Sequence, residues 1–266
     1  MLNLTLAVLL GLLIGSFLNV VIYRWTREED LSVVTPRSFC PACLHPIAAM
    51  DNIPVLSYIL LRGRCRRCKA RIPLRYPLVE IVTAVLFAAV SAQFGWTWEA
   101  AKFCVFGAIN IALFFTDLEE RILPDELTLG GAVAGVLFAF LTPVPPLLMP
   151  LLLPDGSSRR LESVGESLLS AVLLSGMFWM IGKLYQIVRK REGLGLGDVK
   201  MLAMTGAFLG IQHSLLTLVA ASVAGSVLGL FYIWFARKDA QTYALPYGSF
   251  IALASLVVMW LPGVAS

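Results

Sequence analysis

Residues 2–23, LNLTLAVLLGLLIGSFLNVVIY, contain no charged side chain. A helix that crosses a bilayer needs about 20 mainly apolar residues, so this stretch reads as a membrane span. No basic residue precedes its apolar run, the run is longer than the core of a signal peptide, and no convincing small-residue cleavage site follows. The stretch is therefore expected to stay as a span. The rest of the 266 residues agree: the chain is 58% hydrophobic and 14% charged, whereas soluble domains average about 25% charged. These proportions exclude a disordered chain, a coiled coil and a secreted disulfide scaffold. Seven further stretches have the same character: 77–95, 99–116, 127–142, 164–188, 197–211, 212–235 and 245–261. The expected fold is an all-α polytopic membrane protein of about eight transmembrane helices. The border between its sixth and seventh spans is the least defined.

Charge gives this array a direction. Residues 24–75 hold ten of the 21 Lys and Arg and four of the 17 acids, a local charge of +6 within a net charge of +4. With the N-terminus outside, the loops at 24–76, 117–126, 189–196 and 236–244 face the cytoplasm. With their flanks they collect seventeen basic residues, including Arg121, Lys183, Arg189, Lys190, Arg191, Arg237 and Lys238. The outer side keeps Lys102, Arg159 and Arg160. Cytoplasmic loops of membrane proteins carry such an excess. Three regions follow: a first transmembrane helix (1–23), a cytoplasmic loop domain (24–76) and a transmembrane core (77–266).

The basic loop carries Cys40-Pro-Ala-Cys43 and Cys65-Arg-Arg-Cys68, with 21 residues between the pairs. Each Cys-x2-Cys turn can aim two thiolates at one point, and two turns make a tetrahedral zinc site. A reducing compartment disfavours disulfides. Four thiolates leave no open position, so the zinc is expected to be structural and to fold a loop with little core. Cys104 reads as a packed apolar residue. His45 reads as a solvated or supporting residue and His213 as chemically idle.

Two acidic segments lie at the inner membrane edge. One is Phe115-Thr116-Asp117-Leu118-Glu119-Glu120-Arg121-Ile122-Leu123-Pro124-Asp125; the other is Gly193-Leu194-Gly195-Leu196-Gly197-Asp198-Val199-Lys200. Ionisable groups at this depth are costly and mark function by default. The plain alternatives are a juxtamembrane polar residue for Asp117 and a helix N-cap for Asp198. Two carboxylates at one level favour a pair that shares a proton, the division of labour of an aspartic protease. Gly195 and Gly197 would let a helix or an extended peptide approach Asp198 closely. Residues 117–126 sum to −4, either a solvated loop or an attractor for a basic peptide.

These residues resemble type IV prepilin peptidases, the leader peptidase/N-methyltransferases of the GxGD aspartic protease group. The resemblance rests on the ordered run of Gly15-Ser16-Phe17-Leu18-Asn19-Val20-Val21-Ile22-Tyr23-Arg24, Pro36-Arg37-Ser38, the two cysteine pairs, and Asp51-Asn52-Ile53-Pro54-Val55-Leu56-Ser57-Tyr58. It continues through Leu61-Arg62-Gly63-Arg64-Cys65, Ile72-Pro73-Leu74-Arg75-Tyr76-Pro77-Leu78-Val79-Glu80, both Asp motifs and Pro246-Tyr247-Gly248. It covers nearly the whole chain; Trp25-Thr26 and Glu119 depart from the usual pattern. The resemblance implies an inner-membrane enzyme with two activities. It would cut the basic leader of prepilins or pseudopilins after Gly on the cytoplasmic side, then methylate the new N-terminus with S-adenosylmethionine, in type IV pilus or type II secretion systems. It implies Asp117 and Asp198 as catalytic residues, and a cysteine loop that accompanies the methylating activity. Asp51, Arg62 and Glu80 are candidates for the methyl-donor site, with ion pairing inside the loop as the alternative. Beside substrates and the lipid bilayer, nucleic acid is not expected as a partner. The rival readings are a transporter whose acids bind a proton or cation and an assembly protein with a zinc-ribbon docking loop.

Overall fold

The computed structural model describes residues 2–26, 38–154, 157–190, 195–235 and 245–264. Arg27, Pro36, Arg37, Arg191, Gly193, Leu194, Arg237 and Lys238, which entered the sequence reading, lie outside the described residues. The chain order is α1 (Leu2–Trp25), a 3-10 turn (Ala49–Asn52), α2 (Leu56–Leu60), α3 (Arg75–Phe94), α4 (Trp98–Glu120), α5 (Asp125–Ala139), α6 (Met149–Leu152), α7 (Arg159–Arg189), α8 (Leu196–Phe235) and α9 (Tyr247–Val258). Among the described residues there is no strand, only the isolated bridges Phe39–Pro46 and Arg64–Arg71.

Among the described residues, five helices are long and apolar enough to cross a membrane: α1, α3, α4, α7 and α8. The other two expected spans are helical but shorter, 15 residues in α5 and 12 in α9. The expected sixth and seventh spans form α8, which is interrupted at Gly210 by non-helical backbone (φ 73°, ψ 173°). Glycine enters that region without a steric cost, and this break lies within two residues of the border read from sequence.

The chain divides into two compact units, Met1–Ala112 and Leu113–Ser266, and the division falls inside α4. In the first unit α1 packs on α3. Gly11 and Gly15, one helical turn apart, permit this: a Cβ on Gly11 would stand 2.6 Å from Ala84 Cα, and one on Gly15 would stand 2.7 Å from Glu80 Cα. Small residues at this spacing are how helices approach in lipid, where no hydrophobic force drives them together. Asn19, 2% exposed, adds a bond from its amide to the Tyr76 carbonyl at 3.0 Å.

In the second unit α8 packs against α5, α7 and α9. The Ser167 hydroxyl donates to the Ala207 carbonyl at 2.7 Å, tying α7 to α8. Glu166, fully buried, accepts the Leu148 and Met149 N–H groups at 2.9 and 3.0 Å and so fixes the loop before α6. One boundary differs from expectation. Residues 117–120 were expected in a loop, but α4 continues through Glu120. It closes where Arg121, at φ 57°, donates its N–H to the Asp117 carbonyl. The Asp117 side chain in this last turn is held by another helix.

Candidate active site

Asp117 lies in the last turn of α4 and is 6% exposed. Its Oδ2 accepts the backbone N–H of Ser249 at 2.6 Å and the Ser249 hydroxyl at 2.9 Å. Ser249 is the third residue of α9. The first N–H groups of a helix have no partner within it, and the helix dipole favours negative charge there. Asp117 therefore caps α9 from a distant part of the sequence.

Asp198 lies in the first turn of α8 and is half-buried. The Gly195 N–H reaches its carboxyl group. Both aspartates thus sit at helix N-termini, and they are close enough for their charges to act on each other. Tyr247, whose hydroxyl is 2.9 Å from the Ser222 hydroxyl, lies within electrostatic range of Asp198.

Leu123 holds the segments together. A Cβ on Gly197 would come within 3.0 Å of the Leu123 Cβ; one on Gly248 would come within 2.8 Å of its Cδ1 and 3.1 Å of the Asp117 Cγ. A Cβ on Gly195 would meet Asp198 Oδ2 at 3.1 Å. The glycines beside Asp198 and after Tyr247 thus make room for carboxyl groups and for Leu123. Lys200 pairs with Asp125 at 2.6 and 2.8 Å, linking the N-terminal part of α8 to the first turn of α5. That pairing offsets one of the acids of residues 117–126. Glu119, Glu120 and Glu126 are exposed. Ser249 and Leu123 had no place in the sequence reading. The only sequence signal for Ser249 was its position just after Pro246-Tyr247-Gly248.

The Met1–Ala112 unit holds the cysteines. The four sulfurs lie within 4.8 Å of one another, with Cys40 and Cys68 Sγ 3.8 Å apart. A tetrahedral site with Zn–S near 2.3 Å puts sulfurs about 3.8 Å apart, so these residues fit zinc. The two turns are copies at an offset of 25 residues. Cys40 N–H bonds His45 O and Cys65 N–H bonds Ala70 O, both at 2.9 Å. Ile47 N–H bonds Ser38 O and Ile72 N–H bonds Gly63 O, both at 2.8 Å. Leu44 and Lys69, each just after a second cysteine, have φ 55° and 60°. In sequence the copies share only the cysteines and the isoleucine that follows them.

Backbone N–H groups of Cys68 and Arg67 point at Cys65 and bring its thiol down to about 6. The Ala70 N–H favours the Cys68 thiolate, but desolvation and the thiols of Cys65, Cys43 and Cys40 outweigh it and push Cys68 up to about 11. Four sulfurs this close cannot all carry charge without a cation among them.

The other candidates serve the loop itself. Asp51 receives Arg66 in a two-pronged pair at 2.6 and 2.8 Å, which holds its carboxyl below the usual range. Glu80 accepts the Val55 N–H at 2.7 Å. Val55 has φ 60° and ψ −48°, a strained conformation for a β-branched residue, and the Glu80 carboxyl helps to hold it there. Arg62 follows α2 with φ 51°. His45 sits against Arg67. Cys104 is half-buried within α4 and His213 is buried within α8.

Two family profiles divide the sequence between them. The Bacterial Peptidase A24 N-terminal domain matches residues 9–94 and the Type IV leader peptidase family matches residues 104–230. A Prepilin leader peptidase/N-methyltransferase from Pseudomonas putida is 36% identical over 96% of this chain and 90% of its own length. The chain belongs to the type IV leader peptidase family. Proteins of the same name from Neisseria gonorrhoeae and Myxococcus xanthus are 35% and 42% identical. The first alignment spans 85% of this chain and 80% of the relative, the second 83% and 60%. No solved structure matches the fold significantly.

Proposed function

We propose that this chain is a bifunctional membrane enzyme. It cleaves the basic leader of prepilins or pseudopilins after Gly, then N-methylates the exposed terminus with S-adenosylmethionine. The observation that carries the cleavage reading is the pair of aspartates, each at a helix N-terminus and each within reach of the other's charge. Two such carboxyl groups share one proton near neutrality. The ionised member takes a proton from water, and the protonated member gives its proton to the peptide carbonyl oxygen.

A substrate with an apolar helix and a basic head lies in the bilayer with its head in the cytoplasm. In an eight-span topology with the N-terminus outside the inner membrane, its scissile bond meets Asp117 and Asp198 at the cytoplasmic edge. Exposed Glu119, Glu120 and Glu126 then attract the leader. In this reading residues 77–266 form the transmembrane peptidase core, and 24–76 form the loop associated with methylation.

Cys40, Cys43, Cys65 and Cys68 would hold a structural zinc, which supplies folding energy to the loop rather than an open coordination site. The methyl-donor site is assigned to the same loop and its border with α3, with Asp51, Arg62 and Glu80 as its candidate residues. Asp51 and Glu80 would act there by holding the loop's shape through Arg66 and Val55. Positioning of a neutral amine against the donor supplies the rate of the transfer.

The test compares prepilin cleavage by the purified enzyme with that by Asp117→Asn and Asp198→Asn. Each substitution is expected to lower kcat by about 10²–10⁴-fold, the usual share of acid–base catalysis. Cleavage retained in either variant overturns the pair.

A further inference from the structure

Ser249 is a polar group at the site that the mechanism above leaves unused. It is 4% exposed, and both of its donors reach one oxygen of Asp117, the N–H at 2.6 Å and the hydroxyl at 2.9 Å. The hydroxyl has a second acceptor, the Phe114 carbonyl, at 3.1 Å. It owns a single hydrogen, so it can serve the carboxylate or the carbonyl. A charged acceptor makes the stronger bond, so an ionised Asp117 draws the hydrogen to Oδ2. The charged and titratable groups around the pair are Arg121 at the end of α4, Asp198 from α8 and Tyr247 from α9. The arrangement is asymmetric. Asp117 receives two donors from α9 on one oxygen, while Asp198 receives the Gly195 N–H of its own segment and faces the charge of Asp117.

We propose that Ser249 sets the division of labour between the two aspartates. Its two bonds to Oδ2 hold Asp117 as the ionised partner and leave Oδ1 as the oxygen that deprotonates water, while Asp198 carries the shared proton. This rests on the peptidase reading and deepens it. In the step, the water oxygen bonds to the scissile carbonyl carbon, and its proton passes to Asp117 Oδ1. The carbonyl π pair moves to its oxygen, which takes the proton of Asp198. On collapse the C–N bond breaks, the departing amine takes the proton from Asp117, and Asp198 recovers its own from the diol hydroxyl. Ser249 is a positioning residue here; it touches Asp117 and no reacting atom.

The experiment uses the full-length enzyme in detergent and a synthetic prepilin N-terminal peptide, with kcat and KM followed against pH. Ser249→Ala keeps the N–H bond and loses the hydroxyl. It is expected to lower kcat about tenfold, the cost of one bond to a charged group. It should leave KM unchanged and move the acid limb of the kcat profile to higher pH by roughly one unit. Ser249→Thr is expected to restore most of kcat and the acid limb. A role confined to helix packing would lower the melting temperature and leave the limb in place, and that result overturns the proposal. So does a Ser249→Thr profile displaced as far as that of Ser249→Ala. If Ser249→Ala does not stay monodisperse, Ser249→Cys replaces it, with a smaller displacement in the same direction expected and none overturning the proposal. Wild type and Asp117→Asn run alongside. Cleavage by Asp117→Asn would remove the peptidase pair itself, an outcome separate from any result at Ser249.

Discussion

The cysteine turns of residues 38–72 and the helix ends around Asp117 and Asp198 both hold polar groups at short range, by opposite means. The turns belong to a loop with few buried apolar residues, and their shape comes from paired backbone bonds such as Cys40 to His45 and Cys65 to Ala70. Their sulfurs crowd one another and call for a cation. The aspartates sit among long apolar helices, and their charge is met by N–H groups that α9 and α8 leave unpaired. One region would take its counter-charge from a bound ion; the other is built around dipoles the fold itself contains. The lesson is that a small polar loop needs a cross-link where a helical core needs only well-placed helix ends.

That contrast can be broken most severely at Gly248. A Cβ there meets Leu123 and Asp117 inside ordinary contact distance, so Gly248→Val is expected to lower kcat for cleavage by about a hundredfold, since small misplacements cost that much. Its zinc content, measured by elemental analysis, is expected to stay at one per chain; loss of zinc would show that the two regions do not fold separately. The converse substitution, Cys40→Ser with Cys65→Ser, is expected to abolish zinc binding and labelled-methyl transfer while cleavage persists. Loss of cleavage in that variant would place the loop in the peptidase reaction.

Acid sharpens the comparison. With Cys68 pushed up to about 11, at least one proton must leave when zinc binds. Lower pH opposes that loss, so zinc affinity should fall by about tenfold or more for each unit of pH below neutrality. Competition with a colorimetric chelator measures it, and a flat response would mean the sulfurs are already fully deprotonated. The smallest effect is expected at the Lys200–Asp125 pair, which is partly exposed on both sides. Removing it by Lys200→Ala should cost under about 1 kcal/mol of stability and change kcat no more than a few-fold. A larger fall in kcat at unchanged melting temperature would give the pair a direct part in spacing the aspartates.

Much of this was legible in the sequence because lipid enforces it. An uncharged run such as residues 2–23 has few uses besides a membrane helix, and helices occur at each of the expected stretches. The cysteine turns were legible through their spacing, since two residues between thiols leave few conformations. Helix ends were less so. Residues 117–120 looked like an acidic loop, and the contact that anchors Asp117 at their head is with Ser249, 132 positions away. Leu123 was invisible for the same reason: its partners Gly197 and Gly248 meet only after folding. The strained Val55 likewise depends on Glu80, 25 residues on. The doubled turn leaves little trace in the sequence because its likeness is one of backbone bonds.

The doubling of that turn has a kinetic consequence. Each copy closes through backbone bonds within ten residues, so each is expected to close on the time scale of short-loop closure. A metal ion taken up by either pair of sulfurs would then meet the second pair at an effective concentration set by the 21-residue connection, on the order of millimolar. Chelation at the first turn would thereby deliver the second, so that the loop's final shape is expected to come by recruitment and not by search.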